Sequence, residues 1–176
     1  MPGPPLLSKE QARDYLAEAF PTQTFTLTEF QHGWVCRPTL TSEQTASGQA
    51  LGQTSYVLNK QTGIVTVHDS LHPWTIGENY DRAIEAGQPP QGHQIYPRRR
   101  RATFHRTAET SATITYQVTA TSLENPAEPP QTYPLTFDKQ TLKRNQRGPM
   151  DSLVVSKAKW LSRQGRSWPA EGMIEE

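Results

Sequence analysis

The sequence has a single cysteine, Cys36, no run approaching the roughly 20 apolar residues a membrane span needs, and a formal charge of only +1 over 176 residues. A lone cysteine excludes an internal disulfide, and with it the stapled scaffolds of small secreted domains. The opening MPGPPLLSKE has neither the basic stretch nor the long apolar stretch of a secretory signal, so the cytoplasm is the expected compartment. Hydrophobic residues make up 34%, low for a globular chain, and abundant Thr, Gln, Ser and Pro predict long polar loops. Four Trp, six Tyr and five Phe nevertheless supply enough large side chains to close a modest core. One α+β domain over residues 1–176 is expected, with a subdivision, if there is one, near 88–98.

Catalytic signatures are equally scarce. There is no Gly-x-Ser-x-Gly elbow and no glycine-rich phosphate cradle, and Cys36 lies in a predicted strand, where a buried structural thiol is expected. His68 and His72 stand four apart with Asp69 between them, a spacing that holds a metal on a helix. They flank a strand end and precede Pro73, so they read as polar loop residues. Glu78, Asp81 and Glu85 read as the solvated side of an amphipathic helix rather than as an acid–base pair. Neither enzymatic activity, nor a cofactor, nor a metal is expected.

What is present is a sequence of ordinary folding signals. Ser8 and Gln11 form a capping-box pattern ahead of Ala12, Tyr15, Leu16, Ala19 and Phe20 at helical spacing, with Pro21 ending the helix. Phe25 and Leu27 alternate with threonines, and Trp34-Val35-Cys36 follows a His-Gly break, which predicts a hairpin. Residues 39–52, polar and rich in Gly, Ser, Thr and Gln, are expected to form an exposed connection with little order of its own. In SYVLNKQTGIVTVHD the apolar runs flank a loop closed by Gly63, a second hairpin. Ile76, Tyr80, Ala83 and Ile84 then predict a short middle helix.

Residues 88–97, rich in Pro, Gly and Gln, read as a surface crossing. Strands are expected at Phe104, Ile114–Ala120 and Tyr133–Phe137, with a loop over 125–131. Val154, Ala158 and Leu161 suggest a C-terminal helix begun by Asp151 or Ser152, a strand over Leu153–Val155 being the alternative; from Gly165 onward the chain is expected to fray. The fold class is therefore α+β: mainly antiparallel sheet with an N-terminal, a middle and a C-terminal helix.

Charge is unevenly placed. Residues 1–90 carry 5 Lys+Arg against 9 Asp+Glu, and residues 91–176 carry 13 against 8. The second half owes much of its excess to Arg98, Arg99, Arg100 and Arg101, close to Phe104, His105 and Arg106. Guanidinium groups with a nearby aromatic can bind nucleic acid, but alternation on a strand would split the four arginines between two faces. A solvated junction or a contact with an acidic protein is the preferred reading, with a nucleic-acid or regulatory module as the alternative.

From Gly33 to Ile84 the order of parts is a Gly-Trp strand, a polar connection, the hairpin YVLNKQTGIVTV and a helix around Tyr80. This resembles the YrhB-like class of immunity proteins from bacterial polymorphic toxin systems, which share the Gly/Trp strand and an apolar hairpin with Lys/Asp-x-x-Gly at its turn, here Lys60-Gln61-Thr62-Gly63. In size and general character the chain is also similar to the immunity factor that neutralises the tuberculosis necrotizing toxin, a secreted NAD-consuming glycohydrolase. The resemblance implies a non-catalytic antitoxin that forms a one-to-one complex with a cognate toxin and occludes its active site, with no role for a membrane. On that reading the partner-binding residues are Asp69, Ser70, His72 and Trp74 after the hairpin, with Arg98, Arg99, Arg100 and Arg101 as a second surface. Trp74 as a plug of the core is the competing reading for that residue.

Overall fold

The computed structural model describes residues 5, 8–49, 52–124, 126–145 and 147–176. Parts of three sequence expectations lie outside the described residues: most of the Pro/Gly leader, residues 50 and 51 of the polar connection, and Asn125 of the Pro-rich loop. The chain is α+β, and its contacts cluster into two compact units, residues 1–97 and 98–176.

In the first unit, helix α1 (Lys9–Ala19) begins where the sequence indicated: Gln11 N donates to Ser8 Oγ at 3.1 Å and Ser8 N donates to Gln11 Oε1 at 3.0 Å. Strands β1 (Phe25–Glu29) and β2 (Gly33–Pro38) form the first hairpin. A short helix α2 (Ser42–Ala46) follows, then β3 (Ser55–Asn59) and β4 (Val65–His68) as the second hairpin, helix α3 (Pro73–Glu85), and β5 (His93–Tyr96). The strands make one antiparallel sheet in the order β1-β2-β3-β4-β5.

That sheet is covered on both faces. Trp34, Cys36, Leu58 and Val65 point toward α1 and meet Ala12 and Leu16, while Val35 and Val57 point the other way and meet Ile76 and Tyr80 of α3. The period-two geometry of a strand sends alternate residues to opposite faces, so β2, apolar at Trp34, Val35 and Cys36 in succession, has to be central. Gly63, at φ +69°, closes the β3–β4 turn, and Tyr15 OH of α1 donates to its carbonyl at 2.7 Å.

Two expectations in this unit are corrected. The start of the polar connection has more order than expected, since Thr41 and Gln44 make a second capping box that starts α2. Residues 88–97 are not merely a crossing, because β5 pairs with β4 (Val67↔His93, Thr66↔Gln94, Val65↔Tyr96) and brings Ile95 and Tyr96 to the α1-side core.

The second unit comprises β6 (Arg100–Glu109), β7 (Thr113–Ser122), β8 (Gln131–Asp138), α4 (Asp151–Gly165) and β9 (Glu171–Glu175), with sheet order β8-β7-β6-β9. Here α4 packs on one face only. Ala102, Phe104, Ile114, Tyr116, Val118, Leu135 and Phe137 from the strands meet Val154, Val155 and Ala158 of the helix. The opposite face is lined by threonines, with Thr115 Oγ1 2.8 Å from Thr136 Oγ1 and Thr119 Oγ1 3.1 Å from Thr132 Oγ1. The C-terminal helix is a helix and not the alternative strand. Its first residue, Asp151, is buried and accepts from Gly148 N. The expected frayed end is corrected as well: β9 pairs along β6 from Arg101↔Glu175 to His105↔Glu171.

Candidate partner-binding surface

The polypeptide between β4 and α3 is short, polar and tightly held. Ser70 Oγ donates to Gly52 O at 2.7 Å, Leu71 N to Asp69 O at 2.7 Å, and Arg37 Nη2 to Leu71 O at 2.7 Å while its Nε donates to Ser55 Oγ at 3.1 Å. His72 is the N-cap of α3, with its Nδ1 3.4 Å from Trp74 N and its carbonyl accepting from Ile76 N at 3.1 Å; Pro73 occupies the first helical turn, where a missing N–H leaves no bond unmade. Backbone fixed in this way nevertheless leaves Leu71 47% and Trp74 58% exposed. Trp74 is therefore not a core plug.

The position of Trp74 is set from beneath. Its ring meets Phe30 edge to face at a centroid distance of 5.4 Å. Phe30 in turn lies on the backbone of Gly77, where an added Cβ would come within 2.2 Å of the Phe30 ring. The β1–β2 turn carrying Phe30 is clamped from two sides. Asp81 of α3 accepts from Gln31 N at 3.0 Å and His32 N at 2.9 Å, so it is not the purely solvated carboxylate expected from the sequence. Lys60, its side chain only 10% exposed, donates to Glu29 Oε1 at 2.8 Å and to the Phe30 carbonyl, with its ammonium 5.0 Å from the Trp34 ring centroid. A buried ammonium needs such partners, and here they fix a turn.

Beside the loop, a cleft of about 900 Å³ opens between α3 and the β4/β5 side of the sheet. His68, Asp69, Leu71, Tyr80, Arg82 and His93 are among the residues lining it. Burial and the neighbouring His93 hold the His68 imidazole below its usual pKa, against the opposing pull of Asp69, and its Nε2 lies 2.8 Å from Thr66 Oγ1. Burial raises the Tyr80 phenol, partly countered by Asn59 Nδ2 donating to it at 2.8 Å. A smaller groove of about 330 Å³, lined by Thr26, Thr28, Arg37, Leu40 and Pro73, lies beside β1 and β2. Among the described residues no group of three or more His, Cys, Asp or Glu is gathered that could hold a metal ion. Cys36 is buried in the α1-side core with its thiol pushed up to about 12 by desolvation.

The structure brings Asp69, Ser70, His72 and Trp74 together in one loop and helix start. It places the arginine run in the other unit, where most of the run already has acidic partners. Arg99 Nε is 2.8 Å from Glu124, Arg101 Nε is 2.7 Å from Glu175, and Arg100 Nη1 is 3.8 Å from Glu176, while Arg99 N and Arg100 N both donate to the Glu176 carbonyl. Arg98 is exposed ahead of β6. Sequence reasoning missed Phe30, Arg37, Lys60 and Asp81 as parts of the surface, and within the Asp69–Trp74 loop it did not single out Leu71. One signal was available: Gly77 sits mid-helix, where glycine is unfavourable by about 1 kcal/mol relative to alanine unless something packs on it.

The family model of the Immunity protein 35-like domain matches residues 8–88, a span that runs from the α1 cap through α3 and covers just under half of the chain. It contains the Gly33–Ile84 segment and the whole of the held loop. No curated protein and no solved structure matches the chain. Among the described residues, no helix is long and apolar enough to cross a membrane.

Proposed function

We propose that this chain is an immunity protein that binds a cognate secreted toxin one to one in the cytoplasm and blocks its active site by seating the Asp69–Trp74 loop in the toxin's cleft. The observation that carries this reading is a loop held by side-chain and backbone bonds that still displays Leu71 and Trp74, inside the span that matches the Immunity protein 35-like domain. Binding entropy is lost chiefly when flexible groups are ordered, so a loop already fixed in the free protein loses little of its contact energy on association. Tryptophan near the centre of an interface commonly dominates affinity. Inhibition by occlusion requires no chemistry of the inhibitor.

A NAD glycohydrolase, the activity neutralised by the immunity factor for the tuberculosis necrotizing toxin, is the first toxin activity to assay. Arg99, Arg100 and Arg101 already face carboxylates, which removes support from a nucleic-acid module built on the arginine run. The reading is tested by co-expressing toxin and chain. The wild type should restore growth, and Leu71→Ala with Trp74→Ala should abolish rescue while the melting temperature stays within a few degrees. Affinity should fall by at least tenfold for Trp74→Ala alone, the loss of about 1.4 kcal/mol or more expected of an anchor. Cells that die equally with and without the chain would reject the function.

A further inference from the structure

Resting on the immunity reading, we infer what kind of toxin this surface fits: one whose active-site cleft is rimmed by Lys and Arg, and hence an enzyme acting on an anionic, phosphate-bearing substrate. The anchors are apolar, and the exposed charge running along α3 from Trp74 is mostly acidic. Helical spacing puts Trp74, Glu78, Asp81 and Glu85 on one stripe of α3, with Trp74, Glu78 and Glu85 exposed. Asp69 is exposed at the start of the loop. The unit as a whole carries 9 Asp+Glu against 5 Lys+Arg, and two of those five cations are hydrogen-bonded within it: Arg37 on the Leu71 carbonyl and Ser55, Lys60 on Glu29 and the Phe30 carbonyl. Arg82, four residues after Glu78, borders this stripe and also lines the cleft, the one basic side chain on α3 beside three acidic ones.

An aromatic anchor at the head of an acidic stripe is complementary to an apolar pocket bordered by cations. Complementary fields accelerate encounter, and like charges brought face to face carry a penalty of several kcal/mol. The same argument disfavours a second copy of this chain as the occupant, because it would set the stripe against itself. A concave site lined by positive charge concentrates anionic ligands, which is the electrostatic character of a cleft built for phosphates.

The test is stopped-flow association between this chain and the catalytic domain of the toxin against which it restores growth. Raising salt from 50 to 500 mM should slow association by about tenfold or more, as expected for a steered encounter. Glu78→Lys with Glu85→Lys should slow it by a similar factor and leave dissociation nearly unchanged; Glu78→Gln with Glu85→Gln should give a smaller effect in the same direction. Trp74→Ala should act chiefly on dissociation. Heparin, a polyanion, should compete with the chain for the toxin. A complex that forms at a rate indifferent to salt, to the charge reversal and to heparin overturns this inference and leaves the immunity reading standing. Failure to form any complex removes the immunity reading and this inference with it.

Discussion

The two units solve the problem of a polar, aromatic-bearing sequence differently. The first sandwiches its sheet between α1 and α3 and uses inward-facing polar groups, Lys60, Asp81 and Arg37, to fasten turns. The second covers one face with α4 and has several of its charged pairs nearer the surface, as in Arg99–Glu124, Arg101–Glu175 and Arg106–Glu109, although Lys139 bonds Glu109 and the Thr110 carbonyl from a half-buried position. A polar bond made to backbone in a half-buried place fixes a loop, whereas an exposed ion pair is screened by water and fixes little. The held loop that exposes Leu71 and Trp74 lies in the first unit, which is also the one that the immunity family model matches.

The sharpest way to break the comparison is to unfold one unit alone. Tyr116 is fully buried, edge to face with Phe104 and stacked on Phe137, with its hydroxyl donating to Pro169 O at 2.9 Å. Tyr116→Ala should destabilise the second unit by about 3–5 kcal/mol. Cys36 reports on the first unit, since its buried thiol reacts with a thiol reagent only after opening. If the units are independent, the substitution leaves the Cys36 labelling rate unchanged; if they form one cooperative domain, labelling accelerates along with unfolding of the rest. We expect the first outcome, because each unit has its own core.

Alkali should separate the units in turn. Burial raises the Cys36 thiol from 9.0 to about 12, so its contribution is intact below pH 9 and is lost as pH climbs from 9 toward 12. In the second unit, burial raises Tyr116 and Tyr133 from 10.0 to about 12, with a nearby Asp151 adding to the Tyr133 shift, so that loss begins near pH 10. Urea midpoints followed from pH 8 upward should fall first in the first unit. Cys36→Ala should flatten that early decline.

A smaller effect is expected at Gly77. Alanine favours a helix by about 1 kcal/mol, yet its methyl group would collide with the Phe30 ring, so Gly77→Ala should destabilise by about 1–2 kcal/mol net and shift Trp74 fluorescence. A gain in stability would show that Phe30 does not seat Trp74. A further pair of effects contrasts the units directly. Lys60→Met keeps the aliphatic stem over Trp34 but removes both bonds of the ammonium, and should lower stability by about 1–3 kcal/mol in urea denaturation. Arg101→Ala should change it by less than about 1 kcal/mol, and equal effects would erase the distinction drawn between them.

Much of this architecture was legible locally. The Ser8–Gln11 box, the Gly63 turn and the alternation from Ile114 to Ala120 each state a structure within a few residues, and each forms as read. The short helix at Ser42–Ala46 carries the same capping signature but buries no side chain, so no apolar period marked it. Strands β5 and β9 were missed for another reason: their stability comes from partners far along the chain, Val65–Val67 for one and Arg101–His105 for the other. The same distance hid the carboxylates of Glu124, Glu175 and Glu176 from the arginine run.

The surface shows the same division. Sequence alone determined that the residues after the second hairpin form a polar connection into a helix, with an aromatic at its start, because turn chemistry and helical period are properties of neighbours. Whether Trp74 would face the core or the solvent was decided only when Phe30, Gly77, Asp81 and Lys60 came together from three separate stretches of chain. Exposure is a relation between distant residues. No local pattern encodes it, and the tertiary fold alone sets which side chains remain free to meet a partner.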